Sequence, residues 1–128
     1  MDSRLLGAFG EQEAAKYLRG KGYKIKTANF KTYVGEIDII AENRNYIVFV
    51  EVKTRSVSEA DDNTRPALAV TPEKQRKILS AASYYYRFLK TEKMLRFDVI
   101  EVYKTDRKFK INHIEGAFNA NSAKERQK

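Results

Sequence analysis

Two carboxylates and a lysine interrupt what would otherwise be a pair of purely apolar strands. Asp38 stands among Ile37, Ile39 and Ile40, and Glu51 and Lys53 close the apolar run that starts at Tyr46. Residues two apart on a strand share a face. Ile47, Phe49, Glu51 and Lys53 therefore point one way, and Val48, Val50 and Val52 the other. The Glu51 carboxylate and the Lys53 ammonium stand about 6–7 Å apart along the strand, at a position where burial is costly unless they are paired or bound to metal. An Asp in the middle of an Ile-rich strand contradicts local propensity, and such contradictions gather at functional sites. The chemistry this set suits is phosphodiester hydrolysis. Two carboxylates on adjacent strands can hold Mg²⁺ or Mn²⁺ through oxygen and leave positions for water and phosphate. The lysine can orient the attacking water or stabilise charge on the phosphoryl oxygens. On spacing alone, a plain buried salt bridge from Lys53 to Glu51 or Asp38 accounts for the same residues.

The flanking elements follow from periodicity. Leu6, Phe9, Gly10, Ala14, Tyr17 and Leu18 form one stripe of a helix over 3–20, with Ser3 as its cap and Gly20-Lys21-Gly22 ending it. Tyr23 to Phe30 alternates as a half-buried strand. Glu36 to Glu42 and Tyr46 to Lys53 form a hairpin about the turn-forming Asn43-Arg44-Asn45. Residues 54–70 lose all periodicity and read as a long surface loop, of which Ser56 to Val70 is expected to close over bound nucleic acid, a passive connector being the alternative. Thr71, Pro72 and Glu73 then open a second helix, whose stripe is Gln75, Ile78, Leu79, Ala82, Tyr85, Tyr86 and Leu89. Arg96 to Tyr103 and Phe109 to Ile114 are the last strands. The reading is one α/β domain over 1–118, with a disordered polar tail over 119–128.

Composition narrows the function classes. The chain has 128 residues, 25 basic against 17 acidic, no cysteine and one histidine, which excludes disulfide scaffolds and thiolate zinc sites. The longest apolar run is far short of a membrane span, and the first residues show no signal-peptide pattern, so a cytoplasmic domain is expected. The net charge of +8 is uneven: residues 34–70 carry a net −3, whereas 71–96 carry +5. The basic regions suit a polyanion, and the acidic island within them is compatible with phosphate only if a cation lies between.

Five blocks carry a resemblance: GEQEAAKYL at 10–18, GEIDIIA at 35–41, FVEVKTR at 49–55, EKQRKI at 73–78 and RFDVI at 96–100. Asp38 followed by Glu51-Val52-Lys53 looks like the D…(D/E)xK motif of the restriction-endonuclease-like superfamily. The whole chain resembles the YraN-like family of small bacterial proteins, related to archaeal Holliday-junction resolvases. The resemblance implies a restriction-endonuclease-like α-β-β-β-α-β core with a mixed β-sheet flanked by helices. It further implies Mg²⁺-dependent DNA cleavage, with Asp38 and Glu51 as ligands, Lys53 as the catalytic lysine and Glu11 as a further acidic residue at the metal. In that family the loop after the lysine carries a phrase like FG-x-P, whereas here residues 59–66 read EADDNTRP.

The expected target is structured DNA such as junctions or flaps, and cutting two symmetric strands would require a homodimer. A catalytically silent nucleic-acid-binding module and an adaptor for an acidic protein are the alternatives. For DNA contacts the reading nominates Arg55, with Lys74 and Arg76 facing outward to phosphate and Gln75 facing inward to the site. Asp98 is expected to pair with Arg96, and His113, isolated in a weak strand, has no expected role. The run Tyr84-Tyr85-Tyr86 could stack bases, but helical geometry turns at least two of the three toward the core.

Overall fold

The first helix begins where a side chain can take over an orphan amide. In the computed structural model, which describes residues 2–57 and 70–120, α1 runs Ser3–Gly20 and is capped by Asp2, not Ser3. The Asp2 carboxylate accepts the Leu5 N–H at 2.9 Å, which satisfies one of the orphan amides of the first turn. Strands β1 (Lys24–Thr32), β2 (Gly35–Glu42) and β3 (Tyr46–Ser56) follow, then α2 (Pro72–Tyr86), β4 (Met94–Lys104) and β5 (Phe109–Ile114). The order α-β-β-β-α-β-β contains the core order that the resemblance implied.

The sheet is mixed, with strands in the order β1-β2-β3-β4-β5. Only β3 and β4 run parallel; their connection must cross the sheet, and α2 lies in that connection. The β2–β3 hairpin turns on Asn43, whose side-chain oxygen accepts from the Asn45 and Tyr46 amides at 3.0 and 2.8 Å. Helices cover both faces. Ile37, Ile40, Ile47, Phe49 and Val99 pack with Ile78, Ala81 and Ala82 of α2, and Val48, Val50, Ile100 and Val102 pack with Ala14 and Leu18 of α1. The alternation expected for β3 is thus the division between two cores.

The ends of β3 and α2 differ from expectation. β3 continues to Ser56 because β4 pairs with it as far as Lys104, so Arg55 belongs to a strand. α2 ends at Tyr86, which leaves Leu89 and Lys90 beyond the helix. Tyr85 packs on the core, Tyr86 is half-buried and Tyr84 is exposed. The remainder of the expected loop, 58–69, and residues 121–128 of the expected tail lie outside the described residues.

His113 is not isolated. On the α1 face its Nε2 lies 2.7 Å from Asp98 Oδ2 and its Nδ1 lies 3.1 Å from the Tyr17 hydroxyl. Arg96 grips Asp98 through two donors at 2.9 and 2.8 Å, as its sequence neighbourhood suggested, and the Gly116 N–H adds a bond at 3.0 Å. Antiparallel pairing of β4 with β5 places Ile100 opposite His113, which brings the imidazole to Asp98 from a strand that looked peripheral in sequence.

Candidate active site

The site forms where β2 parts from β3. Their ladder runs from Glu42↔Ile47 to Ile39↔Val50, and Asp38 is the next residue. Its Oδ2 accepts the Val52 N–H at 2.8 Å, so the carboxylate serves the β3 backbone where the ladder has ended. Glu51 is buried, at 5% exposure, and its carboxyl hydrogen-bonds Asp38. Two cations converge on it: Lys53 Nζ at 3.5 Å and Lys74 Nζ at 3.6 Å from the same oxygen.

Two glycines set this convergence. A side chain at Gly10 would overlap the Thr54 hydroxyl, so α1 lies directly on β3 one residue past Lys53. A Cβ at Gly35 would lie 2.6 Å from the Lys77 carbonyl, so the start of β2 abuts the backbone of α2. The first contact brings the Gly10–Glu11 turn of α1 near enough for Glu11 to feel the Asp38 charge. The second holds the first turn of α2, and with it Lys74, over Glu51.

The electrostatics of the pair are unusual. Burial, and then the neighbouring Asp38 charge, push the Glu51 carboxyl up to about 7, against partial compensation from Lys74 and Lys53. Burial also raises Asp38, offset in part by the Val52 N–H and the bond to Glu51. Both carboxyls are thus raised, and they titrate as a pair. Glu11 is raised by burial and by the Asp38 charge, and it hydrogen-bonds Asn29, which has φ +53°. Among the described residues no three acidic, histidine or cysteine side chains stand close enough to cage an ion as they are placed. The donors in contact are Asp38 and Glu51, hard oxygen ligands that suit Mg²⁺ or Mn²⁺, and a divalent cation would remove the repulsion that keeps a proton on the pair.

Residues 10–102 match the uncharacterised protein family UPF0102. A UPF0102 protein of Alkaliphilus oremlandii is 46% identical over 119 residues, covering 91% of this chain and 99% of its own. One from Thermodesulfovibrio yellowstonii is 49% identical over 113 residues, covering 88% and 95% respectively. The chain belongs to UPF0102, the YraN-like family. No helix among the described residues is long and apolar enough to cross a membrane.

The matched UPF0102 span holds all the nominated residues, but the fold does not use them alike. Asp38, Glu51 and Lys53 come together, with Glu11 adjacent through the field of Asp38. Lys74 does not face outward: its ammonium turns in to Glu51, since the α2 start is pinned over β3. The Gln75 amide donates to the Val70 carbonyl at 2.8 Å, tying down the approach to the helix. Arg76 is half-buried on the same turn, and Arg55 is exposed at the end of β3. One neighbour was missed in sequence. Glu101, 1% exposed, is the register partner of Lys53 and accepts from Asn112 at 2.7 Å and the Tyr103 hydroxyl at 3.1 Å. A signal existed, because Glu101 breaks an apolar strand as Asp38 does.

Proposed function

We propose that this UPF0102 protein is a divalent-metal-dependent nuclease that hydrolyses DNA phosphodiesters, with branched DNA such as junctions or flaps as its target. The observation that carries the reading is the Asp38–Glu51 carboxyl pair in mutual contact with two lysines converging on it. A structural joint gathers donors about one carboxylate, whereas two buried carboxyls in contact repel once both ionise, a repulsion that a divalent cation between them would relieve.

Asp38 and Glu51 would hold Mg²⁺ or Mn²⁺, with Glu11 the nearest further carboxylate. The ion, when bound, supplies Lewis acidity toward the phosphoryl group and a water of lowered pKa. Lys53 lies at the mouth of the pair, where its ammonium can orient that water or neutralise charge growing on the phosphoryl oxygens. Lys74 and the start of α2 present positive charge to the same phosphate. The Val52 N–H holds the Asp38 carboxylate in place, so this donor is preorganised. Arg55 and Arg76 extend the basic surface for the flanking backbone, and two-fold assembly would let two copies cut symmetric strands.

The test is incubation of purified protein with four-way junction, flap, single-stranded and duplex DNA, each with Mg²⁺, Mn²⁺ or chelator. Cleavage of a branched substrate that chelator abolishes is the expected result. Binding without cleavage on every substrate in both metals would make the protein a silent binding module.

A further inference from the structure

At the other end of the sheet the chain leaves aromatic rings in water beside cations. α2 stops at Tyr86, and the following turn closes with a 2.9 Å bond from the Leu89 N–H to the Tyr86 carbonyl. Phe88 is 76% exposed and Tyr84 42%. The Arg87 guanidinium lies 5.1 Å from the Tyr84 ring centre and 5.0 Å from that of Phe88, so three flat groups stand together on the surface. The chain then runs into an open groove of about 750 Å³ lined by Arg44, Tyr46, Lys90, Lys93 and Met94, with one exposed acid, Glu92, among the rest. Lys93 is tied to Glu42 at 3.2 Å, whereas Arg44, Arg87 and Lys90 are exposed.

We propose that this end of the molecule binds an unpaired nucleic-acid strand, with bases stacked on Phe88 and Tyr84 and phosphates held by Arg87, Lys90 and Arg44. Exposed rings beside guanidinium and ammonium groups are the combination that single strands use, because every base has a π-face and every linkage a negative charge. A duplex keeps its base faces covered and could use only the cations. A second copy of this chain is a poor occupant, since a two-fold contact across the patch sets Arg87, Lys90 and Arg44 against their own equivalents. The patch is separate from the carboxylate pair: Tyr46 to Lys53 along β3 spans about 23 Å. A branched substrate could thus lay an unpaired arm here while its junction meets the carboxylates.

The chain contains no tryptophan, so Phe88→Trp installs a single reporter. In chelator, where cleavage plays no part, a labelled oligo-dT of about 15 nucleotides should quench that emission on binding. Phe88→Ala and Arg87→Ala should each weaken oligo-dT binding roughly tenfold by fluorescence anisotropy, with little change for a duplex of equal length. Both side chains are exposed, and an unchanged melting curve verifies folding. Unquenched emission at saturating oligo-dT, or unchanged affinity in Phe88→Ala, overturns the proposal. So does a concentration-dependent dimer in sedimentation that Phe88→Asp abolishes, which would assign the surface to a second copy. Because no metal is present, absence of cleavage elsewhere leaves this result standing.

Discussion

Two buried acids on neighbouring strands meet opposite fates in this protein. Val50, the residue before Glu51, is the register partner of Asp98, yet the two carboxyls lie on opposite faces of the sheet. Asp98 is wholly buried and would be raised by that burial, but bonds from His113, Arg96 and the Gly116 N–H hold it below the ordinary carboxylate range. Glu51 is almost as buried and has two lysines, but it shares its space with another acid and is pushed to about 7. The difference is the count of donors against acceptors. A carboxylate with three donor groups is a structural joint. A buried carboxyl facing another carboxyl feels its neighbour's charge, and a divalent ion between the two would relieve that repulsion.

The contrast can be broken most forcefully from the satisfied side. Asp98→Ala should destabilise the fold by about 3 kcal/mol, because Arg96, His113 and the Gly116 N–H lose a wholly buried acceptor and Arg96 keeps only the exposed Glu115 as an ionic partner; urea titration followed by circular dichroism measures it. On the other face, Lys53→Ala should lower the cleavage rate roughly 100- to 1,000-fold while DNA affinity barely changes. A parallel loss of binding in gel-shift assays would make Lys53 a docking residue.

The pH dependence separates the two faces by sign. Folding raises the Glu51 pKa from 4.5 to about 7, so the folded state takes up a proton that the unfolded chain does not hold. In chelator, stability should therefore be greatest below about pH 4.5 as far as Glu51 is concerned, and decline as pH rises to about 7, by on the order of 2–3 kcal/mol. Glu51→Gln should flatten that decline in melting experiments. Asp98, lowered from 3.8, contributes stability above that value and loses it as pH falls below. Smallest in expected size, Asp38→Asn should weaken Mn²⁺ binding by at least roughly tenfold in relaxation measurements. Unchanged Mn²⁺ affinity would remove Asp38 from the ligand set.

Much of this arrangement was legible in the residues. Strict alternation in β3 separated Phe49, Glu51 and Lys53 from Val48, Val50 and Val52, and the two cores divide along that line. Thr71 and Pro72 marked the start of α2 where it is found. Lys74 was misdirected because first-turn side chains radiate in several directions, and periodicity does not say which of them meets β3. His113 was read as isolated, and Glu101 was passed over, for a related reason: their partners lie 15 and 11 positions away, across a strand pair.

The sequence by itself determined the elements, the two faces of the central strand, and an acid–acid–lysine set that apolar strands would not otherwise contain. These are local matters, decided by side-chain periods of two and of 3.6 and by the cost of placing charge among Ile and Val. Only the tertiary structure decided which buried acid is satisfied by donors and which faces a second acid. That balance depends on donors arriving from other elements: Arg96 and His113 for Asp98, Lys53 and Lys74 for Glu51, and the closeness of Asp38 where β2 leaves the ladder. Gly10 admits the Thr54 side chain against α1 and Gly35 admits the backbone of α2, and these close approaches set which charges meet, a consequence of packing distance that no run of residues states in advance.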